Sequence, residues 1–276
     1  MMRRPAVSFC GSPTPRPASD RTPMSSTSPS FASTSAEAPL RGRRALVTGA
    51  SRGIGRAVAL TLGRAGATVH VLARTASSLE VVAGEILAAQ GRAQVHPCDL
   101  TDGMAVIALL AEWEARGEVP DILVSNAGIF PLLPVQDTSP ELFEQTLQAN
   151  LGAPFRLVHA LLPRMRAQGA GDIVTVGSVA DRHIFGGNGA YSASKFGARA
   201  LHEVLRAELV GTGVRCTLVS PAATDTPIWD PIDPDNTPGF PPRAAMLRPH
   251  DVADAVLWAI TRPPHVNIDE LRLSRS

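Results

Sequence analysis

The chain has one lysine and one tyrosine, and they lie four positions apart as Tyr191 and Lys195. The run YSASK that they bound opens a helical pattern, in which side chains at i and i+4 share one face. An ammonium group would therefore lie beside a phenol. To act near neutral pH, a phenol must lower its pKa from about 10 by roughly three units, or about 4 kcal/mol. Because a nearby cation favours the phenolate, the pair predicts a lowered pKa and acid–base chemistry at Tyr191.

A serine precedes this pair at the end of an apolar segment. Ser178 follows residues 173–177, which read as a buried strand. Ligands of doubly wound sheets bind beyond the carboxyl ends of the strands, so this hydroxyl could donate to a substrate carbonyl beside the phenol. An ordinary turn-capping serine is the alternative. The three side chains together are more specific than any one of them.

A glycine-rich turn near the start of the chain is typical of a nucleotide site. Residues 48–55 read TGASRGIG and lie between an apolar strand pattern and a helical pattern. Glycines at such a turn let backbone N–H groups approach a pyrophosphate at the positive end of a helix. A turn without a ligand is the alternative. The candidate cofactor-binding residues here are Gly49, Ser51, Arg52, Gly53, Ile54 and Gly55.

The end of the second predicted strand bears on which nucleotide binds. An acidic side chain there would accept from a ribose 2′-hydroxyl and repel a 2′-phosphate. This chain has Ala73 and Arg74 instead, and Arg52 projects from the glycine turn. Guanidinium groups match phosphate geometry, so the pattern favours NADP over NAD. Two solvated surface arginines are the alternative.

Short apolar runs alternate with longer helical patterns along the rest of the chain. This alternation predicts an α/β fold, a Rossmann-like doubly wound parallel sheet in a single domain over residues 41–276. The segment between residues 222 and 248 has no sustained period, and eight prolines fall from Pro221 to Pro249, so we expect a lid there. The predicted strands are 45–47, 68–72, 93–98, 121–124, 172–176, 214–219 and 269–273. The predicted helices are 56–65, 77–89, 102–115, 141–167, 190–210 and 251–260, the fourth kinked by prolines.

Composition narrows the class of protein. The 276 residues carry a formal net charge of +1, which makes nucleic acid a poor partner, and no apolar run reaches the roughly 18 residues of a membrane span. The three cysteines form no CxxC pair and the histidines have no metal-like spacing, so we expect free thiols, a cytoplasmic location and no metal. Half of residues 1–40 are Pro, Ser or Thr, which predicts a disordered tail or sequence upstream of a true start such as Met24.

Over residues 42–274 the order of these motifs resembles the short-chain dehydrogenase/reductase family. Asp99 and Leu100 resemble the pair that contacts adenine, Asn126-Ala127-Gly128 resembles the family's NAG element, and Asn150 matches its fourth catalytic position. Pro221 and Thr226 correspond to the segment that holds the nicotinamide end. The chain departs from the family pattern at Ser125, in place of the first Asn of NNAG, and at Ala222, where Gly is usual and where the local turn is therefore in question.

The resemblance implies an NADP-dependent oxidoreductase that interconverts a carbonyl and a secondary alcohol. Ser178 and Tyr191 would hold the carbonyl, Tyr191 would transfer the proton, Lys195 would contact the nicotinamide ribose and Asn150 would order a proton path. The ending at residues 263–271 resembles members that act on 3-oxoacyl or 3-hydroxy acid substrates. Relatives pair through the helices at 141–167 and 190–210, which implies a homodimer or homotetramer. A mixed apolar substrate pocket is expected from Ile129, Phe130, His183, Phe185, Ile228 and Trp229.

Two other functions remain open from the sequence. One is an NAD-linked alcohol or sugar dehydrogenase, which Ala73 and Arg74 disfavour. The other is a nucleotide-binding regulator that kept the fold and lost the chemistry. A binding protein has no need of a paired phenol and ammonium group, so the intact motifs favour an enzyme.

Overall fold

A computed structural model describes residues 38–276, and its centre is one parallel sheet of seven strands. The strand order is β3-β2-β1-β4-β5-β6-β7, so the chain winds outwards in both directions from β1 and β4. This confirms the predicted Rossmann-like doubly wound fold. The strands are β1 (Arg44–Thr48), β2 (Thr68–Ala73), β3 (Arg92–Pro97), β4 (Ile122–Ser125), β5 (Gly171–Val176), β6 (Val214–Pro221) and β7 (Glu270–Leu273).

Helices cover both faces of the sheet. Successive side chains of a strand point to opposite faces, so each strand contributes to two cores. In β1, Val47 joins a core formed with α1, α2 and α7, whereas Leu46 joins a second core formed with α3, α5 and α6. Strands with two buried faces are apolar nearly throughout, as the sequence pattern required. The helices are α1 (Gly53–Arg64), α2 (Ala76–Ala88), α3 (Gly103–Arg116), α4 (Pro140–Leu147), α5 (Ala153–Gln168), α6 (Gly189–Glu208) and α7 (Pro249–Ile260).

The single helix predicted over 141–167 is wrong in one respect. A π-helical turn, Gln148–Gly152, separates α4 from α5. The physical reason is Pro154, which has no N–H to donate to the carbonyl four residues earlier and so disfavours a continuous α-helical ladder there. Pro163 is accommodated inside α5. The π turn contains Asn150, which is 3% exposed.

The predicted tail over 1–40 extends too far. Leu40 is 2% exposed, belongs to the core beneath α1 and donates its N–H to the carbonyl of Ala65 at 2.9 Å. Burial of this large apolar side chain favours an ordered conformation of the segment. The prediction of disorder for the earlier residues lies outside the part of the chain that the structure describes.

Between residues 38 and 276, no helix combines the length and the apolar character that crossing a membrane requires. Cys98 and Cys216 are free thiols in this part of the chain, and Cys10 lies outside it.

Two histidines form a buried contact beneath the sheet. His70 in β2 and His96 in β3 lie with Nδ1 and Nε2 3.0 Å apart, and Trp113 of α3 packs edge-on against both rings. His70 is fully buried. Burial, followed by the charges of His96 and Arg44, lowers the pKa of His70 to about 3. The pair is therefore neutral in the folded protein, with one ring donating to the other.

We expect this pair to make the fold sensitive to acid. The unfolded chain takes up a proton on His70 below about pH 6.5, whereas the folded chain resists it to about pH 3, so stability is lost as the pH falls through that window. The loss from this residue is on the order of 4 kcal/mol. Denaturant titrations at several pH values should show a smaller loss for His70→Leu. The variant His265→Asn, at an exposed position, serves as control; equal pH dependence in all three proteins would contradict the expectation.

Candidate active site

The loops at the carboxyl ends of the strands surround a cavity of about 1070 Å³. It lies beyond the point where β1 and β4 are neighbours, which is where the winding direction reverses and where doubly wound folds bind ligands. All but two of the candidate catalytic and cofactor-binding residues selected from the sequence line it. The exceptions are Gly55 and Asn150, which lie beneath the wall. The selected residues that line it are Gly49, Ser51, Arg52, Gly53, Ile54, Arg74, Asp99, Leu100, Asn126, Ala127, Gly128, Ser178, Tyr191, Lys195, Pro221 and Thr226.

The glycine turn leaves the first turn of α1 open to the cavity. Gly49 has a φ of +64°, and a Cβ there would lie 3.0 Å from the Cα of Ala127. A Cβ on Gly55 would lie 2.2 Å from the carbonyl oxygen of Gly49, which explains why Gly55 is needed although it does not line the cavity. No side chain of the described residues caps α1, and its first turn has no acidic residue. The free backbone N–H groups of this turn and the positive end of the α1 dipole suit a pyrophosphate, so the glycine turn fits a dinucleotide.

Thr48 and Asn126 join the glycine turn to the loop after β4. The hydroxyl of Thr48 accepts from the backbone N–H groups of Asn126 and Ala127 at 2.9 and 3.0 Å. The side-chain amide of Asn126 donates to the Thr48 carbonyl at 3.0 Å. Both loops are thereby fixed before any ligand arrives.

One end of the cavity carries unpaired cationic groups. Arg52 and Arg74 are exposed at its edge, and neither forms an ion pair with any of the residues 38–276. Asp99 lines the same end, where hydrogen bonds from Thr101 hold the pKa of its carboxyl below the usual value. Two free guanidinium groups beside the open turn of α1 form an anion-binding region.

The phenol, the amine and the serine lie together further along the cavity. The amine of Lys195 is 5.6 Å from the centre of the Tyr191 ring and donates to the carbonyl of Val176, the last residue of β5, at 2.9 Å. Ser178 follows two residues later, where its hydroxyl also accepts from the N–H of Ala180 at 3.1 Å. Ser178 thus caps a turn, as the alternative had it, and its hydroxyl also contacts the phenol, while its contact with a substrate carbonyl stays a prediction.

The expected lowering of the phenol pKa is wrong for the chain by itself. Burial raises the pKa of Tyr191 to about 12, a hydrogen bond with Ser178 opposes this shift, and the charge of Asp181 adds to it. Burial also lowers the pKa of Lys195 to about 8, partly offset by Asp181. The physical reason is desolvation, because each charged form loses hydration that no group of the chain fully replaces.

Asn150 forms hydrogen bonds with backbone groups and does not line the cavity. Its Oδ1 accepts from the N–H of Ile129 at 2.8 Å, and its Nδ2 donates to the carbonyl of the same residue at 2.9 Å. Nδ2 also donates to the hydroxyl of Ser194 at 2.9 Å, which in turn donates to the Tyr191 carbonyl at 2.6 Å. The π turn thus connects the loop after β4 to the helix that carries Tyr191.

Asp181 is a residue of this region that sequence reasoning missed. It is 1% exposed, accepts from Arg182 at 2.8 Å, and accepts a short hydrogen bond from Ser220 of β6. Arg199 of α6 lies 3.8 Å away. A buried, paired carboxylate three residues after Ser178 anchors the serine loop and adds a negative charge near Lys195. In the sequence, Asp181 is distinguished only as an acidic residue beside an arginine.

The other end of the cavity is apolar. Five of the six residues expected there line it, and His183 does not. Phe240, which was not singled out, does line it. Ala222 causes no strain, since outside glycine the described residues with positive φ are Gln90 and Asp233. Its N–H donates to the carbonyl of Leu273 at 2.8 Å, an ordinary extension of the β6–β7 pairing.

Comparisons with known proteins agree with this site. Residues 43–237 match the model of a family described as short chain dehydrogenase. A protein of Emericella nidulans named glycine betaine reductase is 37% identical over 237 residues, which cover 84% of this chain but only 19% of that protein. The chain therefore matches a small part of that relative.

Solved structures match over nearly their whole length. A metagenomic short-chain oxidoreductase in complex with NADP is 34% identical, with a TM-score of 0.75 over 86% of this chain and 99% of that one. A putative NAD(P)-dependent gluconate 5-dehydrogenase of Beutenbergia cavernae, with bound NADP, is 32% identical, with a TM-score of 0.78 over 86% of this chain and 97% of that one.

The single lysine allows a direct test of the buried amine. In protein labelled with ¹³C-lysine, the one lysine signal should titrate near pH 8 and not near 10.5, because burial disfavours the ammonium form. The variant Asp181→Asn should titrate at a still lower pH, since the carboxylate charge stabilises the ammonium group. Asp254→Asn, which removes an exposed carboxylate from α7, is the matched control. A midpoint near 10.5, or no response to Asp181→Asn, would contradict this account.

Proposed function

Since the chain belongs to the short-chain dehydrogenase family and is an oxidoreductase, we propose that it uses NADP(H) to interconvert a carbonyl and a secondary alcohol. The observation that carries the proposal is the arrangement of Tyr191, Ser178 and Lys195 along one cavity that begins at an open glycine turn. A nucleotide-binding regulator would have no use for an anchored amine beside a phenol.

The glycine turn, Arg52 and Arg74 would hold the phosphates, and Lys195 and Thr226 would lie at the nicotinamide end. When bound, NADPH supplies the hydride. In the reducing direction the hydroxyl groups of Ser178 and Tyr191 would bind the carbonyl oxygen and orient the carbonyl carbon. A phenol with a pKa of about 12 keeps its proton at neutral pH, so Tyr191 can donate it to the developing alkoxide. Asn150 and Asp181 act as positioning residues.

Replacing Tyr191 by Phe tests the proton transfer. The variant retains the ring and loses the hydroxyl, so we expect turnover of a carbonyl substrate to fall by about 10³-fold or more. NADPH should still bind, as measured by cofactor-dependent thermal stabilisation, because the glycine turn is untouched. Near-normal turnover by Tyr191→Phe would contradict the assignment, and Phe196→Tyr, at a partly exposed position on the same helix, is the control for helix integrity.

NADP preference is supported by the two unpaired guanidinium groups and by the absence of a carboxylate at Ala73 and Arg74, where β2 ends. The NADP-bound neighbours are consistent with it.

Arg74→Ala should therefore weaken NADPH binding by about 10- to 100-fold, the effect of losing a charge-assisted contact to phosphate, and leave NADH binding within about twofold. Isothermal calorimetry with both cofactors measures this difference. Arg64→Ala removes an exposed arginine at the end of α1, away from the cavity, and should change neither affinity. Equal losses for both cofactors in Arg74→Ala would remove the preference.

A homodimer or homotetramer is supported by apolar side chains on the helices expected to pair. Phe143 of α4, Phe155 of α5, and Phe196 and Val204 of α6 are 39 to 53% exposed in the single chain. Burial of these side chains against a second copy would remove apolar area from water. Sedimentation equilibrium that finds only a monomer would contradict this assembly.

The 3-oxoacyl or 3-hydroxy acid substrate stays a prediction. It came from residues 263–271, and none of these residues lines the cavity. Asn267 instead pairs with the backbone of Cys216 at 2.9 and 3.2 Å, at the edge of β6. That segment supports the sheet.

A further inference from the structure

The aromatic residues of this chain are few and are concentrated in one place. The sequence has eight Phe, three Trp and one Tyr. Five of these side chains line the cavity beside the candidate catalytic groups: Phe130, Phe185, Tyr191, Trp229 and Phe240. A chain with 4% aromatic residues has thus placed a large share of them around its substrate end.

Three of them continue from the phenol as one row. The centre of the Phe130 ring lies 4.6 Å from that of Tyr191, Trp229 lies 5.4 Å from Phe130, and Phe240 lies 5.9 Å from Trp229. Each contact is edge to face, the arrangement that aromatic rings prefer. We call Phe130, Trp229 and Phe240 the aromatic row. It leads away from Tyr191 along the wall of the cavity.

The middle ring of the row is held in place and shows no free polar atom. The indole N–H of Trp229 donates to the carbonyl of Thr224 at 3.1 Å. Arg243 forms ion pairs with Asp225 at 2.8 Å and with Asp230 at 2.6 Å. These pairs connect the residues on either side of Trp229 to the residues that follow Phe240. Both carboxylates are thereby paired with the same guanidinium group, and neither lines the cavity. The ring meets the cavity as an apolar surface.

The two cationic groups at this end of the cavity, Lys195 and Arg275, contact the backbone and have no carboxylate partner within 4.0 Å among residues 38–276. Among the described residues that line the cavity, Asp99 is the only acidic one, and it lies at the nucleotide end with Arg52 and Arg74. Lys195 donates to the Val176 carbonyl, and Arg275 donates to the Ala244 carbonyl. A cationic substrate would find no carboxylate here, and a polyhydroxylated acid would need polar partners that the aromatic row lacks.

We propose that the substrate is a carbonyl compound carrying an aryl or extended apolar group, which packs against the aromatic row while its carbonyl meets Tyr191 and Ser178. The inference rests on the function proposed above. It separates this chain from its relatives named for glycine betaine and for gluconate, whose names indicate a zwitterion with a quaternary ammonium group and an anionic, polyhydroxylated compound.

The first experiment compares three carbonyl compounds on the full chain with saturating NADPH: 4-phenyl-2-butanone, betaine aldehyde and 5-ketogluconate. We expect kcat/KM for the phenyl ketone to exceed the other two values by about 100-fold or more, because burying a phenyl group is favourable and burying an unpaired charge is not. A higher kcat/KM for either charged compound overturns the inference, as does reduction of none of the three by protein that binds NADPH. Failure to bind either nicotinamide cofactor would instead overturn the proposed function.

The second experiment changes the row. Trp229→Ala should raise KM for the phenyl ketone by about 10- to 100-fold, the effect of losing one aromatic wall, and leave the Kd for NADPH within about twofold. Trp229→Phe should recover most of the loss, which a merely misfolded variant would not do. Trp258→Ala, which removes a 45% exposed tryptophan on α7 outside the cavity, is the matched control. An unchanged KM in Trp229→Ala would overturn the assignment of the row.

Discussion

A buried amine needs an acceptor, and in this chain the carbonyl oxygen of Val176 provides it at 2.9 Å. Because Lys195 and Tyr191 share one face of α6, the bond that fixes the amine to the end of β5 also fixes the phenol. Ser178 follows the same strand two residues later, so this bond joins the helix that carries two of the groups to the strand that leads to the third. Desolvation is the cost of this arrangement, and the pKa of about 8 for Lys195 reports it.

Buried polar side chains beneath the cavity maintain this arrangement without lining the cavity. Asn150 forms hydrogen bonds with both backbone groups of Ile129. It also donates to the hydroxyl of Ser194, which donates to the backbone carbonyl of Tyr191. Asp181 joins the serine loop to β6 and to arginines near α6. Buried polar groups must find partners, so these side chains couple the loop after β4, the π turn, the serine loop, α6 and β6 into one framework. The cavity is consequently preorganised in the chain alone.

The two ends of the cavity differ in chemistry because they are built by different loops. The loops after β1 and β2 supply an open helix turn and unpaired arginines, whereas the loops after β4 and β6 supply the aromatic row. A parallel sheet brings all of these loops to one edge, so an anion-binding region and an apolar region meet at Tyr191. That meeting point is where a hydride donor and an apolar carbonyl compound would be held together.

Local pattern was enough to predict most of the fold and much of the site. The helices and strands follow from apolar periodicity, the cradle from glycine spacing before a helix, and the Tyr191–Lys195 pair from a separation of four residues. Other features depend on burial and on contacts between residues distant in the chain, which no local pattern encodes. These are the π turn that directs Asn150 to Ile129, the buried charge of Asp181, the raised pKa of Tyr191, and the aromatic row formed by residues 130, 229 and 240. Only the packed structure brings those groups within a few ångströms of each other and removes the water that would have left their pKa values unchanged.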